Sequence, residues 1–159
     1  MRTHLDHHDA ELLLQLYDLR REAKLRQARD WFMREFQADS IEEFYRRFPA
    51  GLPENAYFRM TVTYWEMAAS IVARGLINEE LFFENTAECW IVWEKIKALV
   101  PAWRDKRKNP HIWKNLEALA EKYDKWMAQR APDALETLRE QLLKTTQHPS
   151  GETLLENRQ

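Results

Sequence analysis

The sequence predicts an all-α fold, a single-domain bundle of about six helices with a long first helix and a central apolar helix at about 54–74. Three observations carry that expectation. Glycine is nearly absent, at 3 of 159 residues, whereas strand-rich folds need it at their many tight turns. Apolar residues recur at spacings of 3 and 4 over long stretches, which marks one face of a helix. Ser, Asn, Pro and Gly separate those stretches at positions where helices begin and end. A chain of this length buries roughly 70% of its unfolded surface, enough for a core without disulfides or metals.

The first helix is expected from Asp9 to about Phe36. Leu12, Leu16, Leu19 and Ala23 share one face. The next set, Leu25, Ala28, Phe32 and Phe36, is centred roughly opposite at 100° per residue. One straight helix would then need two different packing partners, and a second subunit is a candidate for one of them. Gln37-Ala38-Asp39 closes the helix. Ser40 and Glu43 have the Ser-x-x-Glu spacing of a capping box for a short helix, Ile41 to Phe48. Pro49 to Pro53 reads as a turn, with Pro53 opening the third helix because its ring pre-sets φ.

In that third helix Phe58, Val62, Trp65, Ala69, Val72 and Leu76 form one stripe, which Tyr57, Tyr64, Ala68 and Ile71 widen. A helix apolar over most of its circumference belongs at the centre of its bundle. Gly75 suits a left-handed C-cap and Asn78 an N-cap for the next helix. The fourth helical region spans Glu79 to about Lys106, with a break expected near Asn85-Thr86 and a kink or end near Pro101. Asn109-Pro110 is expected to start a fifth helix that turns Ile112, Leu116, Leu119, Tyr123 and Trp126 inward. Pro132-Asp133 starts a sixth, with Leu135, Leu138 and Leu142. The domain is expected to occupy residues 1–144 and a C-terminal tail residues 145–159.

A net charge of −2 gives no general reason to expect nucleic-acid binding. Cys89 stands alone, so neither an intramolecular disulfide nor a cysteine zinc cage can form, and Trp90 and Ile91 beside it favour a plain buried thiol. The polar start through His8 and the lack of roughly 20 consecutive apolar residues lead to an expected cytoplasmic location without a signal peptide or membrane span.

His4, His7 and His8, with Asp6 and Asp9 nearby, are the densest set of potential metal ligands. No Cys or Glu-x-x-His partner completes a site, so they read as a solvated N-terminus, and no metal or cofactor is expected. Di-iron bundles need Glu-x-x-His pairs on facing helices, and the sequence contains none. Nor does it contain a phosphate loop, a Gly-x-Ser-x-Gly elbow or His-Glu-x-x-His. No catalytic residue is assigned, and the protein is expected not to be an enzyme.

Arg20, Arg21, Lys24, Arg26 and Arg29, interleaved with Glu22 and Asp30, form the main basic group. Their helical angles spread too widely for one stripe along a phosphate backbone, and a Glu22–Arg26 pair is expected. Arg104, Lys106, Arg107 and Lys108 lie at a helix end, where cations complement the dipole. On the apolar third helix, Arg59, Glu66 and Arg74 stand out. Glu66 is expected either on an exposed strip or paired with Arg20 or Arg29, since a buried charge needs a partner. Trp90 and Trp93 lie in a segment apolar nearly all round, as suited to an interface as to a core, and Arg26 is a further interface candidate. The remaining tryptophans read as core.

The stretch Asn55-Ala-Tyr-Phe-Arg-Met-Thr-Val-Thr-Tyr-Trp-Glu-Met-Ala-Ala-Ser, continuing into Ala73-Arg-Gly-Leu-Ile-Asn-Glu-Glu-Leu-Phe-Phe, resembles the bacterial family called domain of unknown function 4760. Leu16-Tyr-Asp-Leu-Arg-Arg-Glu and Asn109-Pro110 extend the resemblance over about residues 10–125. It implies an all-helical fold. The family has no established activity, so the resemblance assigns no residue a role. Many relatives place the domain behind a transmembrane helix, for which this chain has no candidate. The expected function is a non-enzymatic protein–protein interaction module, acting as a homodimer. The alternatives are nucleic-acid binding through Arg20–Arg29 and small-molecule binding at a polar site near Arg59 and Glu66.

Overall fold

The computed structural model describes residues 5–147. Among these it has nine helices: α1 (His7–Arg20), α2 (Ala23–Arg34), α3 (Ile41–Arg47), α4 (Pro53–Ala73), α5 (Glu79–Asn85), α6 (Glu88–Ile96), α7 (Val100–Arg107), α8 (Lys114–Arg130) and α9 (Ala134–Gln147). The all-α expectation stands, while two of the six expected helical regions are subdivided. The long first helix is two helices, broken at Arg21 and Glu22. The region from Glu79 to Lys106 is three, interrupted at Thr86 and before Val100.

Each break has a local cause. The first falls where the apolar face changes sides, so two short helices each turn their own face inward. Glu22 takes part by accepting a hydrogen bond from the Leu25 N–H at 2.9 Å, which caps α2. It is therefore engaged with backbone instead of forming the expected pair with Arg26. At the second break Thr86 adopts an extended backbone, and its hydroxyl accepts from the Glu88 N–H at 3.2 Å. Pro101 lies in the first turn of α7, where its missing N–H is tolerated.

Several starts and stops fall where the sequence places them. Ser40 caps α3 through the Glu43 N–H at 3.1 Å, and the Glu43 carboxylate reaches back to the Asp39 N–H at 2.8 Å, one residue before the cap. Gly75 comes after α4 with φ +69°, the left-handed conformation that closes a helix at least cost in glycine. The expected start at Asn109-Pro110 is not a helix start: residues 110–113 form a turn, and α8 begins four residues after Pro110. Residues 145–147 of the expected tail belong to α9, and the rest of that tail lies outside the described residues.

α4 is the central helix. It packs against α2, α8, α6 and α5, while α6 packs on α8, α9 on α8, and α1 on α2. Phe58 of α4 lies within ring-contact distance of Phe32, Phe36, Phe44, Trp103 and Trp113, joining α2, α3, α7 and the turn before α8. A second aromatic group, Phe83, Trp90, Tyr123 and Trp126, fills the space between α5, α6 and α8. The C-terminus of α2 is closed by Lys95, whose ammonium donates to the Phe32 and Met33 carbonyls at 2.8 and 3.0 Å. Burial there pushes its pKa down to about 8.

Thr61 is fully buried in α4, and its hydroxyl has no hydrogen-bond partner. Thr61→Val keeps the shape and removes a desolvated polar group. It is expected to stabilise the protein by about 1 kcal/mol, a rise in Tm of about 2–4 °C by calorimetry.

Candidate functional site

The polar centre of the molecule lies where α1, α2, α4 and α6 meet, and Arg29 organises it. Its Nε donates to Glu88 Oε1 at 2.6 Å, and one Nη donates to Glu88 Oε2. Its other Nη donates to the Arg20 carbonyl at 3.2 Å. Arg20 is the last residue of α1, so Arg29 satisfies a carbonyl left over at that helix end. Glu88 opens α6, where the positive end of the helix dipole favours a carboxylate. The Trp65 indole N–H donates to the same carboxylate at 3.2 Å. The fork-to-fork pairing raises the Arg29 pKa above its ordinary value, chiefly through its hydrogen bonds to Glu88.

Arg20 lies beside this pair and is half-buried. One Nη donates to the Thr86 hydroxyl at 3.3 Å, and the guanidinium lies 4.9 Å from the Tyr17 ring centroid and 5.5 Å from that of Trp65. Its Nε is buried without a hydrogen-bond partner. Beside it, Leu13, Leu14, Tyr17, Tyr64, Trp65 and Phe82 line an open groove of about 100 Å³. The Tyr64 hydroxyl donates to the Leu16 carbonyl at 2.6 Å, fastening α1 to α4, and burial pushes its pKa up to about 12.

The structure brings Arg20 and Arg29 together, but Arg29 pairs with Glu88 and neither arginine pairs with Glu66. Glu66 accepts from the Asn115 backbone and side-chain N–H groups at 3.2 and 2.7 Å and from the Leu116 N–H at 2.8 Å. It thus supplies from α4 the cap that α8 lacks within its own sequence. Trp113, just before α8, sits at φ +52°, a conformation that bulky residues rarely adopt, with its ring held against Phe58 and Trp103. Arg59 is exposed, so it and Glu66 do not form a shared polar pocket.

Trp90 and Trp93, suited by sequence to an interface or a core, lie in the core. Trp90 is fully enclosed and donates to Asp124 at 2.9 Å, while Arg139 of α9 lies over its ring. Trp93 is buried as well. The segment is apolar all round because α8 and α9 cover what α4 leaves open. Arg26 is exposed. Cys89 is buried, as expected, and burial pushes its thiol up to about 12.

Glu88 was not singled out from the sequence, and Asp9 was named there only as a helix start and a neighbour of the histidines. Asp9 is buried, completes the α1 capping box with Asp6, and accepts from the Asn78 N–H at 2.7 Å, tying α1 to the start of α5. Its signal was the Asp-x-x-Asp spacing at the head of a helix. Glu88, a lone charge ahead of Cys89-Trp90-Ile91-Val92-Trp93, carries the same kind of warning as Glu66.

His4 lies outside the described residues. The His7 and His8 rings lie 4.3 Å apart at a tilt of 38°, and His8 lies 3.4 Å from Glu11. Among the described residues, no group of three or more His, Cys, Asp or Glu is placed to hold a metal ion, and no helix is long and apolar enough to cross a membrane.

No curated protein and no solved structure matches the chain. The family model of a domain of unknown function, DUF4760, matches residues 5–126, more than three quarters of the sequence, and the chain belongs to that family.

Proposed function

We propose that the protein is a non-enzymatic helical interaction module that docks a segment of another polypeptide on the outer face of α1. One observation carries this reading: among the described residues, exposed large apolar side chains are concentrated on α1. Leu14, Tyr17 and Leu19 on α1, and Leu5 just ahead of it, are each more than half exposed, whereas elsewhere Leu52, Met67 and Leu76 fall short of that. Ala10, Leu14 and Tyr17 are spaced 4 and 3, so they form a stripe, and Leu14 and Tyr17 are also walls of the groove. An apolar stripe bordering a concave site is the usual mark of a docking surface.

The size of the face favours a segment over a whole subunit. Covering Leu14 and Tyr17 removes on the order of 100 Å² each from water, against the roughly 800 Å² per partner of a stable dimer. The homodimer expected from the sequence takes second place for that reason. The nucleic-acid reading loses Arg29, which is committed to Glu88 and the Arg20 carbonyl. The small-molecule reading at Glu66 loses its carboxylate to the α8 cap. We place the module in the cytoplasm, which the free thiol of Cys89 suits.

The test is peptide display against the immobilised protein, with a Leu14→Asn/Tyr17→Ser double variant as counter-target. Both positions are exposed, so the variant is expected to melt within about 2–4 °C of the wild type. Enriched peptides should bind the wild type at least tenfold more tightly than the variant. Peptides that bind both equally would sink the reading. A concentration-dependent dimer in light scattering, abolished by the same substitutions, would make the occupant a second copy of the chain.

A further inference from the structure

The groove beside α1 carries an uncompensated charge. Two guanidinium groups, Arg20 and Arg29, share this corner with one carboxylate, Glu88, and both of its oxygens are occupied by Arg29. Among the described residues Arg20 has no carboxylate partner. Its contacts are the Thr86 hydroxyl and the faces of Tyr17 and Trp65, and its Nε is enclosed without an acceptor. A partly buried cation lacking a counter-ion is unfavourable, and a carboxylate brought to its free Nη answers the charge and supplies an acceptor there. The aromatic faces hold the guanidinium plane in place, so little rotamer freedom is lost when it engages.

The space next to that charge is apolar and small. Leu13, Leu14, Tyr17 and Phe82 bound about 100 Å³, well below the roughly 300 Å³ at which pockets for whole small molecules begin. It has room for one aliphatic side chain. A cation at the edge of a slot for one side chain specifies two adjacent features in a ligand.

We propose that the groove selects a polypeptide segment in which an Asp or Glu stands next to a branched aliphatic residue, the carboxylate pairing with Arg20 and the aliphatic group entering between Tyr17 and Phe82. This specificity rests on the docking reading above. Arg29 and Glu88 fix the end of α1 and so set the position of Arg20, while Arg20 alone meets the ligand.

The test is an NMR titration of the full chain with two neutral-ended dipeptides, N-acetyl-Glu-Leu-amide and N-acetyl-Gln-Leu-amide, which differ by one charge. The reporters are the backbone amides of residues 13–20 and the Trp65 indole N–H. The Glu peptide is expected to shift them saturably and to bind at least fivefold more tightly than the Gln peptide, with the difference shrinking as salt is raised. Arg20→Gln should bring the Glu peptide to the level of the Gln peptide, and Arg20→Lys should recover part of the loss. The comparison of the two peptides on wild-type protein does not depend on either variant folding.

Equal binding of the two peptides at the groove would overturn the carboxylate requirement and leave the docking reading standing. Shifts from neither peptide would overturn the specificity, while the docking reading is judged separately by the display experiment. Free 4-methylpentanoate binding as tightly as the Glu peptide would overturn the polypeptide source in favour of a small acid.

Discussion

Replacing Glu88 with alanine is expected to destabilise the protein by about 3–5 kcal/mol, close to the most that a single polar substitution costs. Arg29 and Glu88 are both mostly buried, with side chains 18% and 16% exposed. Removing the carboxylate leaves a guanidinium in a site of low dielectric with only the Arg20 carbonyl as acceptor, and it strips the Trp65 indole N–H of its partner. Glu88→Gln retains an oxygen for Trp65 and loses the charge, so about half of that loss is expected. The double replacement Arg29→Met/Glu88→Leu should recover most of the stability, because a hydrophobic pair of similar volume avoids the desolvation of both ions. Urea unfolding of the wild type and these three variants measures each loss, and adding the single variants Arg29→Met and Glu88→Leu closes a double-mutant cycle. A Glu88→Ala loss below 1 kcal/mol, or a double variant no better than the single, would show that the pair is not the desolvated ion pair described.

The same pair shows what could and could not be read from the residues. Pattern was legible: α3, α4 and α9 fall close to where spacing, caps and Pro place them. The change of face between Ala23 and Leu25 was also visible, but its consequence was not. With no Gly or Pro at Arg21 or Glu22, an unbroken helix satisfies every local preference. The break arises because both apolar faces must reach the same bundle, a requirement of the packed state. Likewise Glu66 and Glu88 are recognisable as charges that need partners. The partner of one is a pair of backbone N–H groups some 50 residues away, and backbone groups carry no side-chain signature. Glu66 serves as a remote helix cap because Trp113, the residue before α8, has no side chain able to cap it. For Trp90 and Trp93 the composition could not separate core from interface, since both demand apolar side chains all round. Only the arrival of Arg139 and Asp124 over Trp90 decides it.

The groove was the least legible part because it is assembled from three helices, none of which announces it. α1 has apolar residues on most sides, with Leu12, Leu13 and Leu16 turned inward and Leu14, Tyr17 and Leu19 left outside. In sequence this excess looked like a demand for a second partner along one long helix. In the structure α2 meets its own demand inside the chain, against α4, and the surplus is confined to α1. The question of a partner survives the correction of the helix, but it now concerns about ten residues next to Arg20.

Phe58→Ala is expected to cost about 3–5 kcal/mol as well, by a mechanism unrelated to charge. The ring is 3% exposed and lies 4.6 Å from Phe44, 5.0 Å from Phe36 and 5.3 Å from Trp103, centroid to centroid. Truncation leaves a void bounded by rings from α2, α3 and α7, and rigid rings close a void poorly, which places the cost near the top of the range for large-to-small changes. It also removes one of the two rings that hold Trp113 against its unfavourable backbone conformation, so the start of α8 should loosen with it. Phe58→Leu keeps most of the volume and should cost about half as much. In urea the midpoint should fall with the slope unchanged, since the same surface is exposed on unfolding. Against a total of about 5–15 kcal/mol for a domain, the alanine variant stays folded only below a much reduced melting temperature. None of the residues around Phe58 lines the groove at α1, so the folded fraction of this variant should bind peptides as the wild type does. Peptide affinity that fell in step with stability would mean that the groove and the ring cluster are one coupled unit.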